Sequence, residues 1–136
     1  AVNPTHVYSF EPASYLIVLT AFNEIGCIDT ATLTITVWED FALYVPNTFT
    51  PNDDEKNQVF LPIISGGYKR DSYHLMIFDR WGELVFESMD PNVGWDGFFG
   101  FHHQVCQDGT YTWKISLEVL QSQEVQTFVG HVNLLR

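Results

Sequence analysis

The chain has 136 residues, 46% apolar and 15% aromatic, long enough to bury about 68% of its extended-chain surface in a core. Six Lys and Arg against seventeen Asp and Glu leave a net charge of −11, and without clustered cations to displace phosphate counterions neither nucleic acid nor anionic membrane is an expected partner. No apolar run approaches the ~18 residues of a membrane helix, so a membrane-spanning chain is not expected, and no basic-then-apolar leader opens the sequence.

Ala1 begins in the middle of a pattern, which suggests a C-terminal piece of something longer. Residues 1–38 alternate with period 2 and show no helical period. His6-Val7-Tyr8-Ser9-Phe10 reads as a strand, and Glu11-Pro12-Ala13-Ser14 as a turn. Tyr15, Ile17, Leu19 and Ala21 then alternate with Leu16, Val18, Thr20 and Phe22. After a turn at Asn23-Glu24-Ile25-Gly26, Thr32, Thr34 and Thr36 alternate with Leu33, Ile35 and Val37. Three strands cannot close a sandwich or hide their own edges. This stretch is expected to be an incomplete β module making few contacts with the rest.

Trp38-Glu39-Asp40 reads as a short linker, dividing the chain into 1–38 and 39–136. Phe41 to Val45 forms a strand that stops at Pro46, which cannot donate to a ladder. The two-proline segment Pro46 to Asn52 is extended, and a polar loop, Asn52 to Gln58, leads to a short strand at Val59-Phe60-Leu61. Beyond Ser65-Gly66-Gly67, Tyr73, Leu75, Ile77 and Asp79 alternate with His74, Met76, Phe78 and Arg80. Leu84-Val85-Phe86-Glu87-Ser88 runs back as a second strand, with Trp81-Gly82 at the turn between them. An aromatic loop from Phe98 to His103 reaches Asp108-Gly109. Two long strands follow, Thr110 to Leu120 and Val125 to Leu135, around a turn at Gln121-Ser122-Gln123-Glu124. Strands roughly every ten residues with turn signals between them predict an all-β, Ig-like antiparallel sandwich. Seven or nearly seven strands are expected, over a core of Phe78, Trp81, Val85, Phe86, Trp95, Tyr111 and Val132. Alternation turns Ile77 and Phe78 to opposite sides, so one of those two is expected to be partly exposed.

Ile77-Phe78-x-Arg80-Trp81-Gly82-x-x-Val85-Phe86-Glu87-Ser88 and Gly94-Trp95-Asp96-Gly97 resemble the gliding-motility-associated C-terminal domain, the type B cargo domain of the type IX secretion system in Bacteroidota. The opening Val45-Pro46-Asn47-x-Phe49-Thr50-Pro51-Asn52, then Asp108-Gly109-x-Tyr111, then Gly130-x-Val132-x-Leu134-Leu135-Arg136 are similar to further landmarks of that family, in its order. The opening loop departs from the pattern: Asn52-Asp53-Asp54-Glu55 lacks both usual glycines. Ahead of this region, Pro4-x-His6-x-Tyr8, Tyr15-x-Ile17-x-Leu19 and Asn23-x-x-Gly26-Cys27-x-Asp29-Thr30 resemble the second half of a PKD-like module.

The resemblance implies a folded signal that directs export through the type IX system and leads to association with the cell surface. It implies as partners the type IX translocon and a PorP/SprF-like outer-membrane protein, with passenger domains upstream in the same chain. The parent would be a surface adhesin or motility protein, exported via the periplasm to the cell surface or secreted. Recognition candidates are Arg80, Trp81 and Gly82 at the hairpin tip, Trp95, Asp96 and Gly97 after it, and Leu134, Leu135 and Arg136 in the last strand. A guanidinium beside Trp81 and Gly82 is hard to justify as core.

Other chemistry is weaker. Asn52, Asp53, Asp54, Glu55 and Asn57 supply oxygens for a Ca²⁺ candidate, but the alternating Asp and central Gly of an EF-hand loop are missing, and a solvated acidic turn is expected. His102-His103-x-x-Cys106 lacks the second ligand pair of a zinc site, and His131 lies on a strand. Neither a metal nor a cofactor is expected. No Gly-x-Ser-x-Gly elbow or second positioned carboxyl beside Asp96 supports an enzyme, and Asp96 reads as a turn cap. Cys27 and Cys106 could bond to each other, bond to upstream cysteines, or stay free. The competing function is an adhesive or carbohydrate-binding module stacking Trp81, Trp95, Phe98, Phe99 and Phe101 on sugar.

Overall fold

The computed structural model describes residues 3–9, 11–100 and 103–136. The chain divides into two compact units, Ala1–Glu39 and Asp40–Arg136.

The first unit is a hairpin of β1 (Ala13–Phe22) and β2 (Ile28–Val37), antiparallel from Ala13↔Val37 to Phe22↔Ile28. Its turn is built by Asn23, whose side-chain oxygen accepts the N–H groups of Ile25 and Cys27 at 3.0 Å each, while Gly26 takes φ 85°. Alternation sorts the side chains: Tyr15, Ile17 and Leu19 face the same side as Ile35, Leu33 and Ala31, and the threonines of β2 face the other. Leu19 and Leu33 are exposed. The strand expected at His6 to Phe10 is corrected: residues 6–9 form no strand, and Phe10 lies outside the described residues. Tyr8 instead packs its ring against Tyr15, 4.9 Å between centroids.

The second unit holds β3 (Leu43–Tyr44), β4 (Thr48–Phe49), β5 (Ile63–Ile64), β6 (Tyr68–Phe78), β7 (Leu84–Ser88), β8 (Phe98–Phe99), β9 (Gln104–Val105), β10 (Gly109–Val119) and β11 (Glu124–Leu134). One five-stranded sheet, in the order β4-β11-β10-β6-β7, carries most of it. Two-stranded pieces, β3 with β5 and β8 with β9, complete a sandwich-like, Ig-like all-β arrangement. The expected count of seven strands is thereby revised to one full sheet and several two-residue strands. The expected strand at Val59 to Leu61 reduces to one bridge, Phe60 paired with Trp95.

Period-2 sequences decide the buried face. Leu75 and Ile77 of β6 line up with Ile115 and Trp113 of β10, and these with Phe128 and Gly130 of β11, and Tyr73 is buried with Leu75 and Ile77. Phe49, Phe60 and Trp95 close over that face, each at most 1% exposed. Trp95 sits at the centre, its ring 5.2 Å from Phe49 and 4.8 Å from Tyr111. Truncating such a ring to alanine typically costs about 3–5 kcal/mol.

Val85, Trp95, Tyr111 and Val132 are buried as expected, whereas Phe78 and Phe86 are half-buried. Of the alternating pair, Ile77 is the buried partner. Trp81 corrects the expectation outright, at 77% exposed, because it lies beyond the end of β6 where no sheet face continues.

Candidate functional site

The β6–β7 hairpin ends in a five-residue tip held by one carboxylate. Asp79 Oδ1 accepts the N–H groups of Trp81 at 2.9 Å and Glu83 at 2.8 Å. The Asp79 N–H donates to the Glu83 carbonyl at 2.9 Å, and Gly82, at φ 84°, donates to the Asp79 carbonyl. With the N–H groups of Asp79, Trp81, Gly82 and Glu83 bonded within the tip, the side chains of Arg80 and Trp81 are left outside. The guanidinium stacks 5.0 Å from the indole centroid, a cation–π contact that holds both in one shape at an exposed site. A Cβ on Gly82 would meet nothing within 4 Å, so its backbone conformation alone requires glycine.

Beside the tip is a concavity of about 460 Å³. One wall is the tip itself, with Asp79, Arg80 and Glu83; the other is the run from Gln104 to Tyr111. Cys106 lies in that second wall, buried, and burial pushes its thiol up from the usual range, while the Tyr111 hydroxyl and then Arg136 pull it the other way. Tyr111 is raised as well, chiefly by burial, and its hydroxyl donates to the Gln107 carbonyl at 2.7 Å.

Trp95, Asp96 and Gly97 serve packing and turn geometry. The Trp95 indole N–H donates to the Phe98 carbonyl at 2.8 Å, and Asp96 Oδ1 accepts the Phe98 N–H at 3.1 Å. Gly97 has φ 84°, and a Cβ there would lie 2.9 Å from Arg136 Nη2 and 3.0 Å from Leu134 Cδ1. Only glycine lets the last strand approach so closely.

Arg136 makes that approach. Its Nη1 donates to the Cys106 carbonyl at 2.7 Å and to Asp108 Oδ1 at 3.3 Å, its Nη2 to the Gly97 carbonyl at 3.1 Å, and its N–H to Asp108 Oδ2 at 3.1 Å. Leu134 is fully buried, and Leu135 is 49% exposed with its N–H on the Phe49 carbonyl. The structure therefore joins Gly97 to Leu134 and Arg136 and places Arg80 and Trp81 across the concavity from Cys106. Pairing of Arg136 with Gly97, Cys106 and Asp108 had no signal in the sequence, since the partners lie far away along the chain. The role of Gly130 did have one. A lone glycine in a strand marks a close approach, and a Cβ on Gly130 would fall 2.3 Å from the Trp113 ring.

The acidic loop closes on itself. Asp53, Glu55 and Asn57 take positive φ of 64°, 67° and 51°, building without glycine the turn that the missing glycines would have made. Its oxygens serve internal donors: Asn52 Oδ1 accepts from the Asp54 N–H, and Asp54 Oδ1 from the Lys56 N–H and the Gln58 amide. Among the described residues no three His, Cys, Asp or Glu side chains are grouped to hold a metal. His103 is exposed, His102 lies outside the described residues, and His131 Nδ1 contacts the Thr112 hydroxyl. Cys27, exposed in the first unit, and Cys106 are both free thiols. Of the rings named for sugar stacking, Trp95 is buried, Phe98 and Phe99 are half-buried, and Phe101 lies outside the described residues.

Compared with protein families, residues 43–134 match the CHU_C type IX secretion signal domain. No curated protein matches the chain.

Proposed function

The chain belongs to the type IX secretion signal domain family and carries an export signal for that system, and from this premise we propose that the signal is read off a folded surface centred on the hairpin tip. Such a signal sends its protein to the cell surface or into the medium, and the family is not a catalytic one. The observation that carries the proposal is the tip: Trp81 is 77% exposed and Arg80 stacks on it, with neither side chain in the core. A planar guanidinium fixed on an indole presents preorganised donors to a carboxylate on a partner. In this reading residues 39–136 are the signal domain and residues 1–38 part of a PKD-like module ahead of it. Passenger domains lie upstream, and the route crosses the periplasm to the type IX translocon. A PorP/SprF-like outer-membrane protein is the partner in a gliding, Bacteroidota-type setting. The domain performs no chemistry of its own.

The other candidates act differently within this proposal. Gly82 shapes the tip. Trp95, Asp96 and Gly97 hold the adjoining loop, and Arg136 ties that loop to the end of β11. Deleting Leu134 to Arg136 removes a fully buried side chain, the four hydrogen bonds of Arg136 and the Leu135 N–H bond to the Phe49 carbonyl, so it tests folding rather than recognition. Leu135→Ala is the cleaner probe of the terminal strand.

The test fuses a reporter ahead of Ala1 and follows its export from a type IX-competent bacterium. Arg80→Ala and Trp81→Ala are expected to block export while shifting the melting temperature little, since an exposed cation–π pair contributes about 0.5–1 kcal/mol. Export at the wild-type level from both variants would defeat the tip as the recognised feature. Among the described residues the adhesin reading keeps Trp81 as its exposed ring, and glycan-array binding by the wild-type chain would support it.

A further inference from the structure

The five-stranded sheet has two edges, and they are not alike. β7 is five residues long, is kinked by a register shift at Ile77 and Phe78, and carries Glu87. Short length, bulges and charge are the usual ways of blunting an edge. On the opposite side the outermost strand, β4, is only two residues long, so β11 is the edge over most of its length. It pairs with β10 along its whole length but with β4 only through Asn133 and Leu134.

The side of β11 turned away from β10 can be read from that last contact. Asn133 and Leu135 donate to the carbonyls of Asn47 and Phe49, so odd-numbered residues direct their backbone groups outward, and strand periodicity extends this to Val125, Thr127, Val129 and His131. The His131 carbonyl accepts the Trp113 indole N–H at 3.2 Å. The four N–H groups, and the carbonyls of Val125, Thr127 and Val129, have no partner among the described residues. From Val125 to Gly130 the strand contains no charge, no proline and no bulge. Alongside runs an open groove of about 580 Å³ between β3 and β11, lined by Phe41, Leu43, Val45, Trp113, Phe128 and Val129 among others, none of them charged.

A row of free backbone donors and acceptors beside an apolar slot is the arrangement that accepts an added strand: the ladder supplies affinity and the slot takes alternate side chains. We propose that β11 from Val125 to His131 is a strand-addition site for an extended segment of a type IX secretion-system component, bearing Lys or Arg at its ends and apolar residues that enter the groove. The inference rests on the export-signal reading. Charge selects the occupant. The chain carries −11 overall, Glu124 stands at one end of the edge, and Asp40 adjoins Phe41. A second copy brings the same charge and is repelled, whereas a cation-flanked strand is attracted.

The experiment uses the complete 136-residue chain behind a reporter. Thr127→Pro deletes one outward N–H at an edge position, where proline is tolerated. Val129→Lys places a charge on the edge at a side chain already 63% exposed. Both variants are expected to keep a cooperative melting transition, with export reduced at least about tenfold, the loss that follows when edge pairing is broken. Wild-type export by both folded variants overturns this inference and leaves the export-signal reading intact. Retention of the wild-type fusion removes that reading and this inference with it. Should Thr127→Pro unfold, Val129→Lys decides alone. Sedimentation identifies the occupant: a wild-type monomer agrees with the proposal, and a dimer dissolved by Val129→Lys assigns the edge to a second copy and overturns it.

Discussion

A single hydrogen atom in place of a side chain sets the width of this fold at Gly130. The Trp113 indole crosses β11 at that residue and reaches the His131 carbonyl, and it can do so only because no Cβ occupies the 2.3 Å gap. Gly130→Ala must push the ring out of its slot or spread β10 from β11. It is expected to destabilise the second unit by about 1–3 kcal/mol, the usual cost of overpacking, and a denaturant melt measures it. Near-UV circular dichroism reports the displaced indole independently. Gly97 faces the same constraint from Arg136 and Leu134, with a positive φ added.

At the level of elements, the β6–β7 hairpin shows how a tip becomes available for recognition. Asp79 satisfies two N–H groups that would otherwise hold the loop open to water, leaving Arg80 and Trp81 without structural obligations. Asp79→Ala removes both acceptors at once. The expected loss is about 1–3 kcal/mol, since hydrogen bonds to a charged acceptor exceed neutral ones, together with faster amide exchange at Trp81 and Glu83. An unchanged exchange rate at those two amides would show the tip to be held by its backbone bonds alone. The same hairpin, moved by such a substitution, alters the wall of the concavity facing Cys106.

For the whole molecule, the buried titratable groups set an alkaline limit. Burial raises Cys106, Tyr111 and Tyr73, and the Tyr73 hydroxyl is buried without a partner among the described residues. In each case the folded state favours the neutral form, so the group's contribution is fully present below its unfolded pKa and is lost as pH rises through the raised folded one. Thermal stability is therefore expected to decline from about pH 8.5, where an unfolded cysteine ionises, and further above about pH 10 with the tyrosines. Replacing Cys106 with alanine should move the onset towards the tyrosine range. A melting temperature that stays level from neutrality to alkaline pH would contradict this account.

Local rules acting within a few residues were enough to determine the all-β class, the long hairpin partners and most of the buried alternation. Val85, Trp95, Tyr111 and Val132 follow from a period of two and from ring size, and the motif at Trp81-Gly82 and Trp95-Asp96-Gly97 points to the secretion-signal family that residues 43–134 match. The exposure of Trp81 was not legible, because hydrophobicity does not reveal where a strand stops beneath it. Nor was the grip of Arg136 on Gly97, Cys106 and Asp108, since that contact exists only once β11 lies beside the loop after Trp95. The free edge of β11 belongs with these. Whether a strand has one neighbour or two is a property of sheet order, and sheet order is decided by long-range packing that no stretch of sequence contains.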